Sequence, residues 1–372
     1  MKFIKKNYHQ PDYVLIGILS FLVVFGLVVL SSAGAALGYE KFGDNYYYLK
    51  HQVVYGLIPG MLLFIITSKV NYNVWKKISL LLFIISIISL VLVFIPGINF
   101  SAGGAARWIN IGGFIFQPAE IVKLSLIIYL AAWLEKKGAE EVGNFNSGFL
   151  PFVVILGLIM TLIILQPDMG TMMVMAAIAI AMYIAGGAKI NHIILLGLIG
   201  VLLLLLLIKV APYRADRLMT FLHPELDPQG KGYHINQAFL AIGSGGFFGR
   251  GFGQSLQKYL YLPEVAGDSI FAIMAEELGF IAGLLVIGTY IFLTHRGFKI
   301  AKIAPDAFAR LLTVGIISWF VFQAFINIGA MCGALPLTGI PLPFVSYGGT
   351  SLAISFAAIG ILINISKQTK EI

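Results

Sequence analysis

Charge is what this sequence of 372 residues has least of: only 11% of its side chains are Asp, Glu, Lys or Arg, while 59% are hydrophobic and the mean hydropathy is +0.92. A water-soluble domain carries about 25% charged residues, so no soluble fold of this length could cover so much apolar surface. Cysteine is nearly absent as well. The single Cys332 excludes an internal disulfide and leaves no cysteine-based metal site. The six histidines are scattered, so no histidine-based metal site is visible either. No repeat of fixed period and no low-complexity linker divides the chain, which is therefore read as one domain, 1–372.

What fills the sequence is a succession of apolar runs, among them Tyr13 to Leu30, Ile78 to Phe94, Phe152 to Leu165 and Ile193 to Ile208. A bilayer core needs roughly 20 apolar residues per helix. The pattern predicts an all-α, polytopic integral membrane protein with about ten spans, near 12–33, 50–67, 77–96, 117–135, 149–165, 169–187, 190–210, 268–294, 308–331 and 348–365. The basic amino terminus precedes an apolar stretch longer than a signal peptide's core, so it is read as the first span, retained.

The formal charge of +8 invites a nucleic-acid reading that its distribution rejects. Fifteen cations fall in alternate gaps: Lys2, Lys5 and Lys6; Lys69, Lys76 and Lys77; Lys136 and Lys137; Lys189; Arg296, Lys299, Lys302 and Arg310; Lys367 and Lys370. The other short gaps hold three, Lys41, Lys50 and Arg107. The positive-inside rule then places both termini in the cytoplasm. The long connection 211–267, between the seventh and eighth spans, is expected outside, ordered and partly lipid-facing. On the same side lie Pro96 to Phe116, rich in glycine around Arg107 and Trp108, and the proline-rich Gly333 to Gly349, expected to cap the bundle or re-enter it.

Ionisable residues inside spans are costly and draw a functional hypothesis. The fourth span opens with Pro118, Glu120 and Lys123, the last two on one helical face; this suits either a functional pair or a self-neutralised helix start. The eighth carries Asp268 at its outer end and Glu276 and Glu277 further in. Helical spacing lets only one glutamate approach the Asp268 side, and the pair suits bonding to neighbouring helices better than chemistry. Asp268 is either an N-cap or a chemical group, and Asp168 reads as an N-cap. Ser255 and Lys258 match S-x-x-K by coincidence, since its partner motifs are missing. The glycines at 243–253 read as turns and tight backbone approaches. By physics alone this is an outward cavity with an acidic residue, a nearby lysine, arginines and apolar walls, suited to an amphiphile with an anionic head. A transporter fits equally well.

Several motifs occur in a distinctive order: Gly104-Ala105-Ala106-Arg107-Trp108, Gln117-Pro118-Ala119-Glu120, Gln166-Pro167-Asp168, Tyr213-Arg214 with Arg217, Ser255 with Lys258, and Leu262-Pro263-Glu264 before Asp268. Ala275-Glu276-Glu277-Leu278-Gly279 and Ser346-Tyr347-Gly348-Gly349 complete the series. Together they resemble the SEDS family of FtsW, RodA and SpoVE proteins over nearly the whole chain. The resemblance implies a ten-helix fold and a glycosyltransferase that polymerises lipid II with undecaprenyl pyrophosphate leaving. It makes Asp268 catalytic. Lys258, Arg214, Arg217, Arg107, Glu120, Lys123, Ser255 and Glu264 become substrate-binding candidates; Glu276, Glu277, Ser346, Gly348 and Gly349 become supporting ones. A divalent cation, magnesium or manganese, with Asp268 as a candidate holder, is an expectation from the anionic leaving group. The implied location is the bacterial cytoplasmic membrane, beside a class B penicillin-binding protein and other division or elongation proteins, with no nucleic acid. Leu262-Pro263-Glu264 and Ser31-Ser32 look FtsW-like, a division role; an elongation-type polymerase or a lipid II flippase are the alternatives. One departure stands out: the family commonly has His-Thr before the aspartate and Phe after it, where this chain has Ala266-Gly267 and Ser269.

Overall fold

A computed structural model describes residues 10–102, 105–210 and 212–369. Each of the ten predicted spans falls on a helix. The first is α1 (Tyr13–Ala33), capped by the Asp12 side chain on the Leu15 N–H. A short α2 (Ala35–Phe42) leads to α3 (Tyr47–Gln52), which continues through a π-helical turn into α4 (Ile58–Lys69); α5 is Tyr72–Leu92. Then come α6 (Pro118–Val142), α7 (Leu150–Leu165), α8 (Met169–Ala185) and α9 (Ile190–Val210). Among the described residues eight helices are long and apolar enough to cross a membrane. Of the two other predicted spans, α8 has 17 residues and α6 carries Glu120 and Lys123 near its start.

The connections have more structure than composition announced. Residues 99–116 form a three-stranded antiparallel sheet, β1 (Asn99–Ala102), β2 (Ala105–Ile111) and β3 (Phe114–Phe116), in order β1-β2-β3. Short hairpins pair locally, which lets this stretch satisfy its own backbone groups outside the helices. The 211–267 stretch contains α10 (Pro212–Leu222) and α11 (Tyr233–Gly245). Three long helices complete the chain: α12 (Ile270–Lys302), α13 (Ala307–Met331) and α14 (Gly349–Ser366).

Small residues bring α4 and the π-helical turn before it into close contact with α14, as expected where lipid offers no hydrophobic drive between helices. A Cβ on Gly56 would meet Gly349 and Leu352, one on Gly60 would meet Phe356, and one on Gly360 would overlap Thr67. The loop after α13 caps the bundle as expected, with Ile340, Leu342 and Val345 buried.

One helix is broken to admit a loop. At Gly279 in α12 the backbone turns to φ 79°, ψ −176°. The stretch after α11 fills the gap: Phe280 N–H donates to the Gly246 carbonyl at 2.9 Å, while the N–H groups of Arg250 and Gly251 donate to the carbonyls of Glu276 and Glu277 at 3.0 Å. Inside a bilayer such freed backbone groups must be paired by protein. Gly249, at φ 80°, lies so close to the Glu277 carbonyl that any side chain would collide with it. These are the tight approaches expected of the 243–253 glycines.

Candidate active site

Asp268 is placed by a turn and a clamp. Glu264 adopts a left-handed backbone at φ 51°, which costs a side-chain-bearing residue about 1 kcal/mol or more. Its carbonyl accepts from the N–H groups of Gly267 (2.9 Å) and Ser269 (3.2 Å), curling the chain around Asp268. The Asn327 amide on α13 then donates both to the Asp268 carbonyl (2.8 Å) and to the Ile340 carbonyl (2.9 Å), tying the turn to the capping loop. Tyr347 N–H donates to the Ala266 carbonyl at 2.8 Å. α12 begins two residues later, with Ser269 in its N-cap place, so the Asp268 carboxylate caps nothing. Asp168, by contrast, is the N-cap expected, accepting from Thr171 N–H at 3.0 Å.

The carboxylate is held without being spent. Asp268 is buried, and its Oδ1 has no hydrogen-bond partner among the described residues. It lines a cavity of about 450 Å³ walled by α10, α11, the Glu264 turn and the loop after α13. Arg217 and Lys231 bring positive charge to this cavity, Glu264 negative charge, and His234, Phe239 and Leu337 its less polar walls. Gly339, at φ 71°, keeps the space beside Asp268 Oδ2 clear. Burial, reinforced by the Glu264 carboxylate, raises Asp268 from 3.8 to about 7; its own backbone N–H, the Ser269 hydroxyl and Arg217 pull the other way. A carboxyl in that range can give and take a proton near neutrality. Burial and the Arg217 charge lower His234 to about 4, so its ring is neutral there.

The other predicted residues divide between this cavity and separate sites. Arg217 and Glu264 line it. Arg214 lies on α10 with its side chain outside the described residues. Lys258 is elsewhere, so the lysine expected near Asp268 is Lys231 instead. Lys258 is buried and its ammonium donates to Glu277 Oε1 (2.9 Å), Ser32 Oγ (2.9 Å) and the Gly253 carbonyl (2.6 Å), which uses all three of its protons. Ser255 donates its hydroxyl to Glu276, whose carboxylate also accepts from Leu256 N–H at 3.0 Å. Both glutamates thus turn to the inserted loop, and Glu277 also to Ser32 of α1, so neither of them approaches Asp268. The reason is the loop itself, which fills the break of α12 beside them.

Glu120 and Lys123 form a buried pair at 2.9 Å. Lys123 also donates to Gln323 Oε1 (2.7 Å) and lies 4.8 Å from the centre of the Trp319 ring. Gln323 in turn donates to the Pro341 carbonyl at 2.8 Å, one residue from the carbonyl that Asn327 holds. The pair therefore reaches the Asp268 turn through α13 and the capping loop. Arg107 binds the carbonyls of Gln166 (3.2 Å) and Pro167, securing β2 to the α7–α8 turn. Ser346 and Gly348 meet Gln52, and Gly349 packs on the Tyr55 backbone.

Sequence reasoning overlooked His234, Gln323 and Asn327. The last two had a legible signal, since they are polar, four residues apart, and sit inside an otherwise apolar span. His234 had none. Among the described residues no three His, Cys, Asp or Glu side chains gather as metal ligands. Asp268 and Glu264 offer two carboxylates to one cavity, which does not make a protein-caged site for magnesium or manganese.

The profile of the FtsW/RodA/SpoVE cell cycle protein family matches residues 12–371. "Stage V sporulation protein E" of Bacillus subtilis is 42% identical over 97% of this chain and 98% of its own length. A "Probable peptidoglycan glycosyltransferase FtsW" of Geobacter is 40% identical, covering 96% of this chain and 97% of its own. Among solved structures, a chain described under "Structural coordination of polymerization and crosslinking by a peptidoglycan synthase complex" superposes with a TM-score of 0.80 at 26% identity, over 97% of this chain and 99% of that one. The rod shape determining protein RodA of Thermus thermophilus superposes at 0.71 with 25% identity, over 98% of this chain and 100% of its own.

Proposed function

This chain belongs to the FtsW/RodA/SpoVE family, and from that premise we propose that it is a peptidoglycan glycosyltransferase that polymerises lipid II at the outer face of the bacterial cytoplasmic membrane. The observation that carries the catalytic assignment is the buried Asp268, whose Oδ1 has no partner among the described residues and which lines a cavity together with Arg217 and Lys231.

The acceptor sugar's 4-hydroxyl attacks the anomeric carbon of the donor, a new C–O bond forms, and the bond to the lipid pyrophosphate breaks. The Asp268 carboxylate takes the hydroxyl proton. The leaving pyrophosphate keeps the bonding pair, and the Arg217 and Lys231 charges offset it. Asp268 and Glu264 alone do not cage a divalent cation, and an EDTA titration that left polymerisation intact would remove the expectation of one. Purified protein supplied with labelled lipid II should build glycan strands, and Asp268→Ala should abolish them. Lipid movement across the bilayer without strands would favour a transporter.

We assign the chain a division role, supported by relatives named FtsW at 37–40% identity. Depletion should give filaments; round cells would point to elongation. A single-span class B penicillin-binding protein is the proposed crosslinking partner, in keeping with the synthase complex among its structural neighbours. Both termini are placed in the cytoplasm by the lysine and arginine bias. The exposed Cys332, next to the cavity residue Gly333, tests this directly. A membrane-impermeant maleimide applied from outside should label it, and labelling only after lysis would reverse the orientation.

A further inference from the structure

Ser269 follows Asp268 in sequence and is fully buried. Its hydroxyl lies 2.7 Å from Nε2 of His234, a residue of α11 that lines the same cavity. The same hydroxyl is among the groups that favour the ionised form of Asp268. An imidazole and a hydroxyl thus meet beside a carboxylate whose Oδ1 has no partner among the described residues.

We propose that His234 is a positioning residue for Asp268, acting through Ser269: Nε2–H donates to Ser269 Oγ, which turns the Ser269 proton toward the Asp268 carboxylate and fixes how that carboxylate meets the acceptor alcohol. This rests on the reading of Asp268 as the group that takes the acceptor's proton.

The direction of the chain follows from charge. A neutral imidazole has one N–H, and its place is set by the neighbouring hydrogen bond. Were Nε2 the bare nitrogen, Ser269 would donate to it and a buried carboxylate would lose a donor. The negative charge on Asp268 therefore favours the Nε2–H tautomer. His234 does not receive the proton, because burial and Arg217 keep its affinity for one far below that of Asp268. Two neutral donors in series orient the carboxylate without the large pKa depression that a contacting ammonium would impose. The base stays poised near neutral pH.

The charged groups facing Asp268 are Arg217 from α10, Lys231 ahead of α11 and Glu264 from the turn, with His234 from α11 itself. The loop after α13 contributes Gly333, Leu335, Leu337 and Gly339 to the cavity, none of them titratable.

The test reads Asp268 without turnover. In the purified full-length protein, the infrared carbonyl band of protonated Asp268 is assigned by its loss in Asp268→Asn and titrated with pH. The midpoint should lie near 7 in the unaltered protein. It should rise by about one pH unit in Ser269→Ala and in His234→Ala. His234→Gln, which keeps an N–H donor, should return it toward the starting value. An unmoved or lowered midpoint in either alanine variant would overturn the proposal. Ser269→Ala deletes one buried oxygen and changes volume little, so it and Ser269→Thr, which keeps the hydroxyl, carry the test if His234→Ala does not fold. A shifted band in a protein that builds no strands would count against the polymerase reading and leave the hydrogen-bond chain standing.

Discussion

Glu277 and Asp268 are buried carboxylates nine residues apart, and the fold treats them in opposite ways. Glu277 accepts from a lysine ammonium, the Ser32 hydroxyl at 2.6 Å and the Ser255 N–H at 3.3 Å. One oxygen of Asp268 meets nothing among the described residues. Burial of a charge is costly unless it is paired and hydrogen-bonded. The first arrangement offsets that cost locally and holds the inserted loop in the break of α12. The second leaves the cost standing, and a raised proton affinity is its consequence.

The sharpest way to break this comparison is Asp268→Asn. Polymerisation should fall by roughly 10²- to 10⁴-fold, the range for losing a general base. Stability should move the other way. The folded-state pKa of about 7 stands above the ordinary value of 3.8, so the folded protein keeps a proton that the unfolded chain releases between these values, and stability falls as pH rises through that window. The substituted amide does not titrate and has no such dependence. Above pH 7 the variant should be more heat-stable than the parent, by at most about 4 kcal/mol, with the gain vanishing below about pH 4. Thermal melts at pH 4 and pH 8 check this, and a variant destabilised at pH 8 would contradict it.

Lys258→Met should give the reverse profile. It strands Glu277 in the interior at a cost of about 3–5 kcal/mol, so the melting temperature should drop while the molecules that remain folded keep most of their turnover. Loss of turnover at unchanged stability would place Lys258 in the chemistry instead. A smaller effect is expected from Asn327→Leu, which removes the donor to the Asp268 and Ile340 carbonyls. Turnover should fall roughly 10- to 100-fold with KM little changed, since one or two buried hydrogen bonds are lost at about 1–3 kcal/mol. A rise in KM alone would mean that Asn327 acts on substrate binding.

The places of the spans were legible because each is a local run whose burial in lipid depends on composition. Asp268 was legible through its motif, and Asp168 as a cap through its position before a helix. The sheet at 99–116 was missed, its strands being short and broken by glycines. Lys258 was misjudged as a neighbour of Asp268 because a stretch of loop intervenes, and the direction that loop takes depends on the break at Gly279. His234 was invisible for the same kind of reason: its partner Ser269 stands 35 residues away.

By itself, then, the order of residues determined a helical membrane protein, the motifs of its family and the acidic group proposed for the chemistry. Only the tertiary structure decided which buried carboxylates are neutralised and which is left open, because pairing is settled by side chains that meet across helices and loops distant in sequence. The bilayer selects composition along the chain, whereas hydrogen bonds and ion pairs select geometry between its parts.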